Sequence, residues 1–220
     1  MRSWAYRAAP PRRRRIRRSL GAFCIWLAAT SVLAAPTSTA PFNRRPSPDS
    51  LAPLGSEIDL MEAAFRDGVR SYEAGDYKAA VRSWDTPAEH GHVGAQFNLG
   101  VAYATGKGVE MNLERAARWW RAAAEQGHTT AQLNLGLLYW RGEGVDKNLV
   151  EARRWWQQAA AGGDAAAQFH LGALAATGEG GPRNYEEAIR WWRLSAAQGY
   201  RQAIKGLEIL KTYGAAPGDD

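Results

Sequence analysis

Four histidines, the three scattered serines of residues 57–213 and a glycine-lysine-glycine turn are the groups in this chain with chemistry to offer. His90 and His92 flank Gly91, and His128 stands one 36-residue step beyond His92. A metal ion would need further ligands converging on them, and they otherwise read as residues of the turns between helices. Gly106-Lys107-Gly108 lacks the spacing of a phosphate loop and no strand precedes it. Its later copies carry glutamate in place of the lysine, which would repel phosphate. Ser71, Ser83 and Ser195 have no histidine-carboxylate context for nucleophilic attack. Glu186 and Glu187 are adjacent, so on a helix they face different directions and do not pair as acid and base. The chain reads as non-enzymatic, with no cofactor and no metal.

What repeats is scaffold. Ala95-Gln-Phe-Asn-Leu-Gly100 returns as Ala131-Gln-Leu-Asn-Leu-Gly136 and as Ala167-Gln-Phe-His-Leu-Gly172, with a degraded copy from Ala203 that keeps Leu207. Each step is 36 residues, and Trp119-Trp120, Trp155-Trp156 and Trp191-Trp192 keep it. Trp84 lies one step before Trp120. Such a period marks stacked supersecondary units. Each unit reads as two helices. Helix A carries the repeated phrase on a single apolar stripe, as in Ala95, Leu99, Ala102 and Tyr103. The interior glycines Gly100, Gly136 and Gly172 cost about 1 kcal/mol each against alanine, so close approach of a neighbour must require them.

Asp76, Asn112, Asn148 and Asn184 share one register and are expected to cap helix B. Glu151 and Glu187 are placed for reciprocal capping contacts. Helix B buries Leu113, Ala116, Trp120, Ala123 and Ala124, while Trp119, Trp155 and Trp191 are expected at the edge of that stripe. Gly127, Gly163 and Gly199 suit left-handed helix ends. The first unit has the short turn Gly75-Asp76, and the last helix, 201–211, has no partner and reads as a terminal cap. The whole predicts an all-α solenoid of antiparallel helix pairs with about nine helices.

Charge narrows the function. The formal net charge is +6, yet eight of the 28 basic residues are arginines within the first 34, where no acid occurs. The remainder has 20 basic and 22 acidic residues, leaving no basic footprint for nucleic acid. Basic residues to Arg18, an apolar run from Leu20 to Leu33 and small residues after it form the layout of a secretory signal peptide. Residues 1–34 are so read, with cleavage after Ala34, or as a signal anchor if uncleaved. Arg17-Arg18 leaves the export route open. The apolar run is short for a membrane span, so no span is expected after processing. The one cysteine, Cys24, lies within the leader. Residues 35–56 are a proline-rich, disordered linker, 57–213 the repeat array and 214–220 a flexible tail.

The run AQxxLGxxYxxGxGVxxNxxxAxxWWxxAAxxG resembles the Sel-one-like repeat family, a branch of the tetratricopeptide superfamily. Gly100-Val-Ala-Tyr103 with Gly106-Lys-Gly108-Val109, and Gly136-Leu-Leu-Tyr139 with Gly142-Glu-Gly144-Val145, carry the pattern best. The third copy departs at Ala175 and Gly181. The resemblance implies a right-handed α-solenoid acting as a binding scaffold, often exported in bacteria, hence periplasmic or secreted, with another protein or peptide as partner. It also implies that the A helices line the concave face. Candidate partner-binding residues are therefore Asn98, Val101, Asn134, Leu137, Trp140, Arg141, His170 and Ala173. Trp140 replaces alanines at its counterparts. The alternatives are a saccharide-binding envelope module, since tryptophans stack on sugar rings, or a cell-wall or β-lactam hydrolase. The β-lactam-linked branch of the family is rich in cysteine, which the processed chain lacks.

Overall fold

A computed structural model describes residues 57–212; the leader, linker and tail readings fall on residues outside that range. Among the described residues there are nine helices and no strand. They are α1 (Glu57–Glu73), α2 (Tyr77–Glu89), α3 (Val93–Thr105), α4 (Leu113–Glu125), α5 (Thr129–Arg141), α6 (Leu149–Ala161), α7 (Ala165–Thr177), α8 (Tyr185–Ala197) and α9 (Arg201–Thr212). Each packs on its neighbours in sequence, the arrangement of an all-α solenoid. None of the described helices is long and apolar enough to cross a membrane.

Local chemistry sets the helix starts. Asp76, Asn112, Asn148 and Asn184 each accept from a first-turn amide of the B helix that follows, as expected. The reciprocal half of the motif is replaced. Asn112, Asn148 and Asn184 give their own N–H to Tyr103 O, Tyr139 O and Ala175 O of the A helix before them. With that donor already engaged, Glu151 binds Arg154 and Glu187 lies 3.4 Å from Arg153. The cap thus stitches the two helices of a unit together. Gly127, Gly163 and Gly199 adopt the positive φ expected of helix ends.

The core explains the glycine inside helix A. The indole of Trp156 lies where a Cβ on Gly136 would go. Trp84, Trp120 and Trp192 take the same position over Gly68, Gly100 and Gly172. Three of these indoles also donate to a carbonyl of helix A: Trp84 to Phe65 O (3.2 Å), Trp156 to Leu133 O (3.2 Å) and Trp192 to Phe169 O (3.0 Å). A large apolar ring is buried and its one polar atom is satisfied. Trp119 and Trp191 are half-buried at the stripe edge, whereas Trp155 is fully buried in the cluster formed by α3, α4 and α5.

The repeated glutamine of the AQ phrase is a second tie. Gln96, Gln132 and Gln168 are buried, and each Nε2 donates to a carbonyl at the end of the preceding B helix (Ala88, Ala124 and Ala160). Gln126 then donates to Gln96 Oε1 (2.8 Å) and Gln198 to Gln168 Oε1 (2.9 Å). Gly162 occupies the intermediate register and cannot supply that second bond to Gln132.

The array ends differently from its middle. On α9, Gly206 lies against the outer ring of Trp192, in the register where α7 has His170. Glu208 stands in the register of Gly172, the glycine that seats an indole elsewhere.

Candidate functional site

The expected partner-facing positions divide into two groups. Asn98 and Val101 on α3, and Trp140 and Arg141 at the end of α5, are half-buried. Asn134 and Leu137 on α5, with His170 and Ala173 on α7, are buried, Asn134 and His170 being only 2% exposed. His170, expected among the partner-binding positions, instead contacts neighbouring helices. Its ring stacks on Trp156 of the preceding unit (centroids 4.6 Å apart, interplanar angle 17°) and meets Phe169 edge-on at 5.4 Å. This register faces the tryptophan of the previous helix B, as Gly206 does with Trp192, so it packs units together. Burial, aided by the Arg141 charge, drives the His170 pKa down to about 3 and keeps the imidazole neutral. Asn134 Nδ2 and His170 Nε2 have no hydrogen-bond partner.

Trp140 has a structural contact that alanine could not make. Its indole N–H donates to Glu179 Oε2 (3.1 Å) in the glycine loop of the next unit. Lys107 does the same job at the first junction, reaching Tyr72 Oη at 3.1 Å with its ammonium near the rings of Tyr72 and Tyr77. That bond to Tyr72 raises the Lys107 pKa. Arg141 lies 3.6 Å from Glu143.

The remaining reactive groups also have structural employment. Ser195 is buried, and its hydroxyl donates to Ala165 O at 2.6 Å. Among the described residues no three histidine, cysteine or carboxylate side chains converge on a point that could hold a metal ion. His90 ends α2 with Nδ1 2.9 Å from Thr86 O, and Nε2 lies 3.6 Å from Glu57.

His92 and His128 have a role that the sequence reading missed. Both are N-caps: His92 Nδ1 accepts from Ala95 N (3.1 Å) and His128 Nδ1 from Ala131 N (3.2 Å). His92 Nε2 also lies 3.0 Å from Glu62. The His92 ring packs on Phe65 and the His128 ring on Phe97, each at 4.3 Å, so each cap touches the previous A helix. Asp164 caps α7 in the same register, accepting from Ala167 N at 2.7 Å. The signal was present in the sequence as an aspartate in line with two histidines. Burial lowers the His128 pKa and raises that of Asp164.

Residues 93–128, 129–164 and 165–200 each match the model of the Sel1 repeat. No curated protein sequence matches the chain. Among solved structures, c5321, a protective antigen of uropathogenic Escherichia coli strains displaying an SLR fold, is 30% identical with a TM-score of 0.68. The match covers 70% of this chain and 34% of that one. A Sel1 repeat protein from Oxalobacter formigenes is 40% identical with a TM-score of 0.59, over 64% of this chain and 56% of that one. The chain thus spans about a third of the first relative and just over half of the second. With the indole-on-glycine core and the capped, glycine-looped helix pairs, these matches identify the chain as a member of the Sel1-like repeat family, whose proteins are generally protein–protein interaction scaffolds.

Proposed function

We propose that this protein is a non-enzymatic adaptor of the bacterial cell envelope that binds a protein or peptide on the concave face formed by its A helices. One observation supports this reading. Among α3, α5 and α7 the only lysine, arginine or carboxylate residue is Arg141, whereas α4, α6 and α8 carry charges of both signs. A face of amide, small and apolar groups with one arginine and one tryptophan at its edge suits recognition of another polypeptide. Ser195, Lys107 and His170 are all engaged within the scaffold, which favours binding over hydrolysis.

Asn98 and Val101 are half-buried on α3 and still reach solvent, although Val101 also packs against the core, and with Arg141 at the end of α5 they make up the proposed contact surface. The test compares affinity capture from an envelope fraction by the native chain and by the Asn98→Arg, Val101→Glu variant. Partners held by the native chain and lost by the variant, with helical circular dichroism unchanged, support the reading. Identical capture overturns it. Sequencing the processed N-terminus in the same preparation tests export and cleavage after Ala34.

A further inference from the structure

We propose that His92 and His128 make the first two junctions between units sensitive to pH, loosening them in mild acid while the junction capped by Asp164 stays closed. The proposal rests on what each capping atom can do. An N-cap must accept a hydrogen bond from the first turn. An imidazole can accept at Nδ1 only when that nitrogen is bare, so both rings are neutral with their proton on Nε2. For His92 that proton points to Glu62 Oε2, 3.0 Å away on α1.

Adding a proton at Nδ1 sets two N–H groups against each other at Ala95 or Ala131. It also places a cation at the positive end of the helix dipole. Both effects expel the ring from its site, and the ring is what bridges successive A helices, through Phe65 for α3 and Phe97 for α5. Asp164 differs in kind. A carboxyl group keeps a carbonyl oxygen when protonated, so it still accepts from Ala167 N.

The charged surroundings of the two caps differ. Among the described residues His128 has no ion-pair partner; its ring faces Phe97. Burial there disfavours the charged ring, so the proton is taken up preferentially when the junction opens. His92 Nε2 lies 3.0 Å from Glu62 on α1, and its neighbour His90 lies 3.6 Å from Glu57. The α4–α5 junction therefore opens as the pH falls below the ordinary imidazole range near 6.5.

The experiment uses the full chain with both histidines replaced by asparagine, which caps helices without titrating. Thermal midpoints are measured at pH 7.5 and 5.0 for the native chain and the His92→Asn, His128→Asn variant. His170 is common to both, so its contribution cancels. The native midpoint is expected to fall by about 4 °C more than that of the variant, from two caps of ordinary strength. A second measurement needs no variant: amide exchange at Ala131, corrected for intrinsic rate, should quicken about fivefold relative to Ala167 between the two pH values. Equal falls in the two proteins, or Ala131 keeping pace with Ala167, would overturn the proposal.

Discussion

Trp156 lies against Gly136 so closely that a single Cβ on the glycine would enter the indole ring. The contact is paired with a hydrogen bond from the same indole to Leu133 O, so the ring has little freedom to retreat. Gly136→Ala should therefore destabilise the chain by about 1–3 kcal/mol through overpacking, outweighing the roughly 1 kcal/mol that alanine gains in helix propensity. Urea unfolding measures it. A variant as stable as the native chain would mean that the indole moves aside freely.

Gln168→Ala removes a buried amide that donates to Ala160 and accepts from Gln198. About 1–3 kcal/mol should be lost, because the neighbouring polar groups are left without partners. The same change at Gln132 should cost less, since Gly162 stands where a second glutamine would bind it. Comparing the two variants by urea titration isolates the contribution of the second bond.

His170 should impose an acid limit of its own. Its pKa is about 3 in the fold and near 6.5 when unfolded. The unfolded chain therefore binds the extra proton first. The contribution is fully present above about 6.5 and is lost progressively as the pH falls toward 3. In His170→Asn, which restores the residue found at Asn98 and Asn134, the stability curve over this range should be flatter. A curve parallel to that of the native protein would contradict the buried, neutral assignment.

Trp140→Phe keeps a ring but deletes the bond to Glu179. A loss of about 1 kcal/mol is expected, with the helix content unchanged. Glu179→Gln should lose less, because an amide oxygen still accepts. Thermal unfolding followed at 222 nm compares them.

Helix positions, asparagine caps and loop glycines were readable from sequence because each depends on residues within a few places of it. The requirement for Gly100, Gly136 and Gly172 was also legible, though not which side chain imposed it. Orientation across units was harder. Asn134 and His170 look polar and off the stripe, yet their register faces the tryptophan of the unit before, a contact of sequence separation too large for helical periodicity to reveal. Trp155 shows the same effect: one helix has an edge position, and its buried state comes from neighbours. His92 and His128 looked like turn residues because imidazole is seldom considered as a cap, although Asp164 in their register held the clue.

The end of the array has a consequence for growth of the stack. Every indole that joins a helix pair needs a glycine seat, and on α9 that seat is Glu208. A duplicated unit could be inserted anywhere upstream and find compatible neighbours on both sides. One appended after α9 would meet a carboxylate where its tryptophan must lie. Extending the stack beyond α9 by the same joint would thus call for a glycine in place of Glu208, so one residue decides whether that face can accept a further indole.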